Sequence, residues 1–185
     1  MMLTLLILIP LLAGIVSFAV KGNGAKGLAL VSGLATLVLS AFICHQSMEG
    51  AVYVSMPWIP QLGSELSLQA DGMSAMLCLL TGIVMPIVVI ANWNNEVVRP
   101  HAFYGLLLLT QAGITGVFLA YDALLFYVFW ELALIPVYFL CSQWGGEKRI
   151  SVTFKFFVYT FVGSLLMLAG LIYLATLNPG VNSYS

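Results

Sequence analysis

The chain has 185 residues, of which 62% are hydrophobic and only 7% charged, against about 25% charged in soluble domains. Six Lys and Arg and seven Asp and Glu leave a net charge of −1, too few ionised side chains to solvate a globule of this size. With a mean hydropathy of +1.07, most of the chain has lipid for its solvent, which excludes a soluble enzyme, a disordered tail, a disulfide-stapled secreted domain and a nucleic-acid binder.

A bilayer core about 30 Å thick takes about 20 apolar residues per helix, and six such segments follow one another. The first is Met1–Val20. No positive n-region precedes it and no A-x-A site follows, so it reads as a retained spanning helix and not a signal peptide. A short polar turn, Lys21 to Lys26, leads into Gly27–His45. The stretch from Gln46 to Asp71 is the main extramembrane element. It carries Glu49, Glu65 and Asp71 but no Lys or Arg, and Val52–Val54 and Leu66–Leu68 predict a small hairpin around Pro57 and Pro60. Met73–Trp93 is followed by a connection holding Glu96 and Arg99. Then come Phe103–Tyr121, Ala123–Trp144, a connection holding Glu147, Lys148 and Arg149, and Thr153–Leu177. The expected fold is an all-α integral membrane protein of about six transmembrane helices.

All six Lys and Arg sit in or beside the first, third and fifth connections. The positive-inside rule places those connections in the cytoplasm and the N-terminus outside. Trp93, Trp144, Tyr104 and Tyr121 fall at segment ends, where interfacial aromatics belong. Cys44, Cys78 and Cys141 show no CxxC or Cys/His spacing, and His45 and His101 stand alone at segment ends, so no metal site is expected.

Between Phe103 and Trp144 the only charges are Asp122 and Glu131. Asp122, beside Tyr121, reads as a solvated residue of the outer turn. Glu131 lies nine residues further along the fifth segment, roughly 13 Å deeper at helical rise. A carboxyl at the bilayer centre costs roughly 2.5–3.5 kcal/mol on insertion scales and defaults to a functional role. Lipid disfavours its charged form, which suits it to take up and release protons. The alternative is a protonated acid serving as interhelical glue. Pro136 removes the helical partner of the Leu132 carbonyl, leaving either a water-holding spot beside Glu131 or a plain kink. Gln111, ten residues before Tyr121, sits at the depth of Glu131 and either hydrogen-bonds it or faces another helix. Lys155 enters the sixth helix from the cytoplasmic side. Its depth differs from that of Glu131 by more than roughly 10 Å, so it reads as a possible relay or a snorkelling lysine and not as a direct ion-pair partner. Tyr159, Thr160 and Ser164 extend a polar line along the same helix, or act as packing glue.

Three stretches carry a resemblance. The first is Met56-Pro57-Trp58-Ile59-Pro60 followed by Asp71-Gly72-Met73-Ser74. The second runs from Gly116 through Tyr121-Asp122 to Phe129-Trp130-Glu131-Leu132 and Ile135-Pro136-Val137-Tyr138. The third is Trp144-Gly145-Gly146 with Arg149, then Lys155-Phe156-Phe157 and Gly163-Ser164-Leu165-Leu166-Met167. Together they resemble the N-terminal portion of chain M of the proton-pumping NADH:quinone oxidoreductases (respiratory complex I), counterpart of mitochondrial subunit four. The Met-Pro-Trp-Ile-Pro loop favours chain M over its antiporter-like sisters.

The resemblance implies a fourteen-helix antiporter-like fold. Residues 1–102 would supply three N-terminal helices with an extracytoplasmic loop at 46–71. Residues 103–177 would be the first three helices of a proton-translocating repeat, and 178–185 a terminal tail. It implies that Glu131 is the proton-carrying acid of helix five, paired in the family with a helix-seven lysine that these six helices do not include. It places NADH, FMN, iron–sulfur clusters and quinone on the assembled complex, and none of them on this chain. Partners would be lipid and the other membrane-arm subunits, especially the sister antiporter-like chains, in the cell inner (plasma) membrane. An Mrp-type cation/proton antiporter subunit, a membrane-bound hydrogenase subunit and a non-pumping fragment remain alternatives.

Overall fold

Unbroken apolar runs form six helices in the computed structural model, which describes residues 1–20, 24–59 and 64–177. They are α1 (Met2–Ser17), α2 (Gly24–Ser47), α3 (Gly72–Ala91), α4 (Pro100–Leu119), α5 (Ala123–Trp144) and α6 (Arg149–Leu177). Five of them are long and apolar enough to cross a membrane. The remaining helix, α1, has 16 residues and reaches roughly 24 Å, a short span ending before the expected Val20. The chain is a multi-pass membrane protein of the expected helical class. Gly24, Ala25 and Lys26, expected in the first turn, already belong to α2, whereas Lys21 lies outside the described residues.

Local sequence sets the helix ends. Asp71 caps α3 by accepting from the Ser74 amide at 2.7 Å, and the Asp71 amide donates to Ser74 Oγ at 2.8 Å. This reciprocal pair satisfies two otherwise free groups and holds the Asp71 carboxyl below the usual carboxylate range. Pro100 opens α4, where its missing N–H costs nothing.

The expected hairpin is present and longer than the alternation indicated: β1 (Val52–Ile59) pairs antiparallel with β2 (Ser64–Ala70). Pro57 falls inside β1, next to the register shift between Pro57 and Ile59, and Pro60 lies outside the described residues.

The connections sort to two ends of the bundle. At one end, Ser17 Oγ donates to the His101 carbonyl at 3.0 Å, Lys26 Nζ to the Trp93 carbonyl at 2.7 Å, and Trp144 Nε1 to the Val98 carbonyl at 3.0 Å. First, third and fifth connections therefore share a face. The hairpin packs at the other end with the start of α1 and the α4–α5 turn, in a core that includes Leu3, Leu6, Leu68, Ala70, Leu119 and Leu125. A second core, nearer the Lys/Arg-bearing end, joins Ala25, Ala29, Met85, Val89, Tyr104 and Leu108. Tyr104 is thus no lipid-facing aromatic. It is fully buried, and its hydroxyl reaches the Asn92 carbonyl at 3.3 Å.

Helix α5 leans on the bundle through α4, at two glycines. A Cβ on Gly113 would lie 2.7 Å from both the amide nitrogen and the Cα of Ala133, and one on Gly116 would run into the Phe129 ring. Gly113→Val therefore pushes one backbone off another, and no side chain can yield. The expected cost is about 3 kcal/mol, the upper end for overpacking, read as a lower apparent melting temperature in detergent. Gly163→Ala, where a Cβ meets nothing within 4 Å, serves as the neutral control.

Candidate functional site midway along the fifth helix

Glu131 is partly buried on α5, the middle one of three helices that follow one another across the bundle. Ser164 of α6 donates to its Oε1. Ser164 is 4% exposed, and its hydroxyl also lies 2.9 Å from the Phe161 carbonyl. The pairing follows from counting along the helix hairpin. Glu131 lies thirteen residues before Trp144 and Ser164 fifteen after Arg149, so antiparallel helices with a short connection bring both to one depth. Helix α5 runs through Pro136 without a break. Two turns toward the Lys/Arg-bearing end, Tyr138 of α5 packs on Phe157 of α6, ring centroids 5.0 Å apart.

Of the other residues singled out in the sequence, Gln111 does not join this site. It is 3% exposed, and its amide Nε2 donates to Thr36 Oγ1 of α2 at 2.8 Å, whose hydroxyl donates in turn to the Gly33 carbonyl at 2.9 Å. The reason is helical phase. Gly113 faces α5, and a residue two positions earlier is turned about 200° away around the helix. Gln111 therefore belongs to a polar waist between the two apolar cores, where its Oε1 and Ser32 Oγ are buried without a hydrogen-bond partner among the described residues.

Lys155 is exposed on α6, nine residues from Ser164 and so roughly 13 Å along the helix, and no ion pair joins it to Glu131 among the described residues. Thr160 turns its hydroxyl back to the Phe156 carbonyl at 2.8 Å and lines an apolar groove of about 390 Å³ with Trp130, Leu134 and Val137. Tyr159 is 76% exposed. Of the polar line on α6, Ser164 alone meets the acid.

Asp122 is the largest departure from expectation. It is no solvated turn residue but 1% exposed. Its Oδ1 accepts from Ser64 Oγ at 3.1 Å and from the Leu125 amide at 2.9 Å, and its Oδ2 from the Glu65 amide at 3.2 Å. The cause is β2, which lies against the α4–α5 turn. The Tyr121 amide donates to the Ser67 carbonyl at 3.0 Å, and Leu68 bridges Ala120. One carboxylate thus caps α5 and ties it to the hairpin.

Among the described residues no three His, Cys, Asp or Glu side chains gather where a metal ion would be held.

Residues 120–182 match the family model described as "NADH:quinone oxidoreductase/Mrp antiporter, TM", a stretch that includes Asp122, Glu131, Lys155 and Ser164. Across 98% of its length the chain is 42% identical to F(420)H(2) dehydrogenase subunit M of Methanosarcina mazei, covering 38% of that protein. It is also 35% identical to an NAD(P)H-quinone oxidoreductase chain 4 of Microcystis aeruginosa, over 98% of this chain and 34% of the other. Its fold superposes on a chain of respiratory complex I from Thermus thermophilus with a TM-score of 0.85 and 28% identity, over 96% of this chain and 36% of that one.

The chain resembles part of an M-type, antiporter-like membrane subunit.

It spans little more than a third of the length of these M-type relatives. Within that third the site-bearing α5–α6 hairpin lies inside the matched family segment, whereas Gln111 and its partner Thr36 precede it.

Proposed function

We propose that this chain is part of an M-type subunit of a proton-translocating, quinone-reducing respiratory dehydrogenase, and that Glu131 is its proton-carrying acid. One observation carries the reading: a carboxyl stands at mid-depth of an apolar helix, inside the segment that matches the antiporter family, with a hydroxyl donor from the neighbouring helix on its oxygen. Such a group is costly in lipid, which points to a functional role, and a hydrogen-bonded carboxyl can hold a proton in one state and release it in the other.

In this reading α4, α5 and α6, with residues 103–177, form the first three helices of the translocating repeat, and the first three helices with the hairpin brace them. Lys155, near the Lys/Arg-bearing end, serves as an entry or relay group that reaches Glu131 through water. Redox chemistry belongs to sister subunits that carry the NADH, FMN, iron–sulfur and quinone sites, and this chain converts their work into proton movement. The relatives' names differ in electron donor, F(420)H(2) or NAD(P)H, which fits a membrane subunit that touches neither. Its place is the cell's inner (plasma) membrane, with the odd connections cytoplasmic and the N-terminus outside, an orientation that the confinement of Lys and Arg to those connections supports. Its neighbours are lipid and the other membrane-arm subunits.

The test is the native mass of the assembly containing this chain, solubilised in mild detergent, with dehydrogenase activity stained on the same gel using NADH and F(420)H(2) in turn. Migration in a large assembly that oxidises either donor is expected. Migration as a small, inactive species overturns the subunit reading.

A further inference from the structure

We propose that Ser164 is a two-position hydroxyl switch that sets the proton affinity of Glu131. The inference rests on Glu131 being the proton-carrying acid. A serine hydroxyl carries one hydrogen, yet two acceptors lie in its reach, Glu131 Oε1 and the Phe161 carbonyl oxygen. The Phe161 carbonyl sits inside a continuous helix, where the amide four residues on already occupies it, so it has no need of the serine. With Glu131 ionised, the single hydrogen goes to Oε1 in a charge-assisted bond. With Glu131 protonated, the carboxyl O–H donates to Ser164 Oγ and the serine hydrogen turns back to Phe161. Every polar hydrogen is bonded in both states, and the exchange needs one hydroxyl rotation in a side chain that is 4% exposed. The arriving proton ends on Glu131, and Ser164 keeps its own hydrogen throughout. It is a positioning residue and not a carrier.

Within α4, α5 and α6 few other groups carry charge. The titratable and charged side chains of the packed helices are Tyr127, Tyr138 and Cys141 on α5, Arg149, Lys155, Tyr159 and Tyr173 on α6, and His101 and Tyr104 on α4. None of them hydrogen-bonds to Glu131 among the described residues, and α4 carries no Asp, Glu, Lys or Arg.

The experiment is proton translocation against pH in membranes holding the assembled complex, with substitutions made in the complete subunit. Ser164→Ala removes a stronger bond from the ionised acid than from the protonated one, so the profile is expected to move to higher pH by about one unit. Ser164→Thr restores a hydroxyl and is expected to return the profile to that of the unmodified protein. Ser164→Cys, close in shape and a weaker donor, is expected to shift the profile in the same direction by less, and serves if the alanine variant does not assemble. Glu131→Gln run in parallel separates the two ideas. If it leaves translocation intact, the acid reading fails and the switch falls with it. If it abolishes translocation while the Ser164 variants lower the rate on an unmoved profile, the acid stands and the switch is overturned.

Discussion

Glu131→Gln, placed in the complete subunit of the assembled complex, is expected to lower proton translocation by about tenfold or more while the complex still assembles. Glutamine keeps the length and volume of glutamate, and its carbonyl oxygen still accepts from Ser164, so the α5–α6 contact survives. What is lost is the ability to take up and release a proton. A packing role predicts the opposite, because an amide serves as well as an acid for interhelical glue. Glu131→Asp sharpens the contrast: it keeps the carboxyl and retracts it by one methylene, so partial translocation is expected. The measurement is donor-driven acidification of inverted membrane vesicles, normalised to donor oxidation. Undiminished translocation in an assembled Glu131→Gln complex would return α5 and α6 to a scaffold.

Asp122→Ala is expected to be the most destabilising single change outside the core. The carboxylate is 1% exposed and takes three donors, the Ser64 hydroxyl and the Glu65 and Leu125 amides. Alanine leaves all three facing a space that water reaches poorly, at about 1–3 kcal/mol for each unsatisfied buried group, and one of the three, the Leu125 amide, is the one that the α5 cap satisfies. With partial relaxation the sum is about 3 kcal/mol. In a chain of this size that lowers the melting temperature by on the order of 10 °C, and the hairpin, released from the α4–α5 turn, should become a protease target. Asp122→Asn is expected to fall between, since its oxygen can still serve Ser64 and Leu125 while its NH₂ meets the Glu65 amide. An unchanged melting temperature and an uncut hairpin in Asp122→Ala would mean that the β2 backbone contacts to Tyr121 and Ala120 suffice.

These two acids show how far the sequence could be read. Counting along the chain puts Glu131 near the middle of α5, as the structure has it, because rise per residue is a local property of the helix and needs no knowledge of neighbours. The same reasoning misread Asp122. Its position between two helices implied a solvated turn, and nothing local announced that a hairpin some fifty residues earlier folds over it. Gln111 takes the second of its two expected places, facing another helix, for a related reason. Its depth matches that of Glu131, but depth leaves the angle around the helix open, and the close approach of Gly113 to Ala133 turns Gln111 toward Thr36. Ser164 was legible in principle, since counting outward from the α5–α6 connection puts it opposite Glu131.

Residue order alone carries whatever lipid imposes along one dimension. Segment length, the scarcity of charge, the confinement of Lys and Arg to alternate connections and the cost of a mid-depth carboxyl all follow from the bilayer as solvent. Which side chains meet is a matter of the folded bundle, because it depends on the rotation of each helix about its axis and on where the hairpin lands. Two glycines against Ala133 and Phe129 settle the first, and the fit of β2 on the α4–α5 turn settles the second. Both are contacts between distant parts of the chain, and in lipid, where apolar faces look alike, close packing and hydrogen bonds choose the partner.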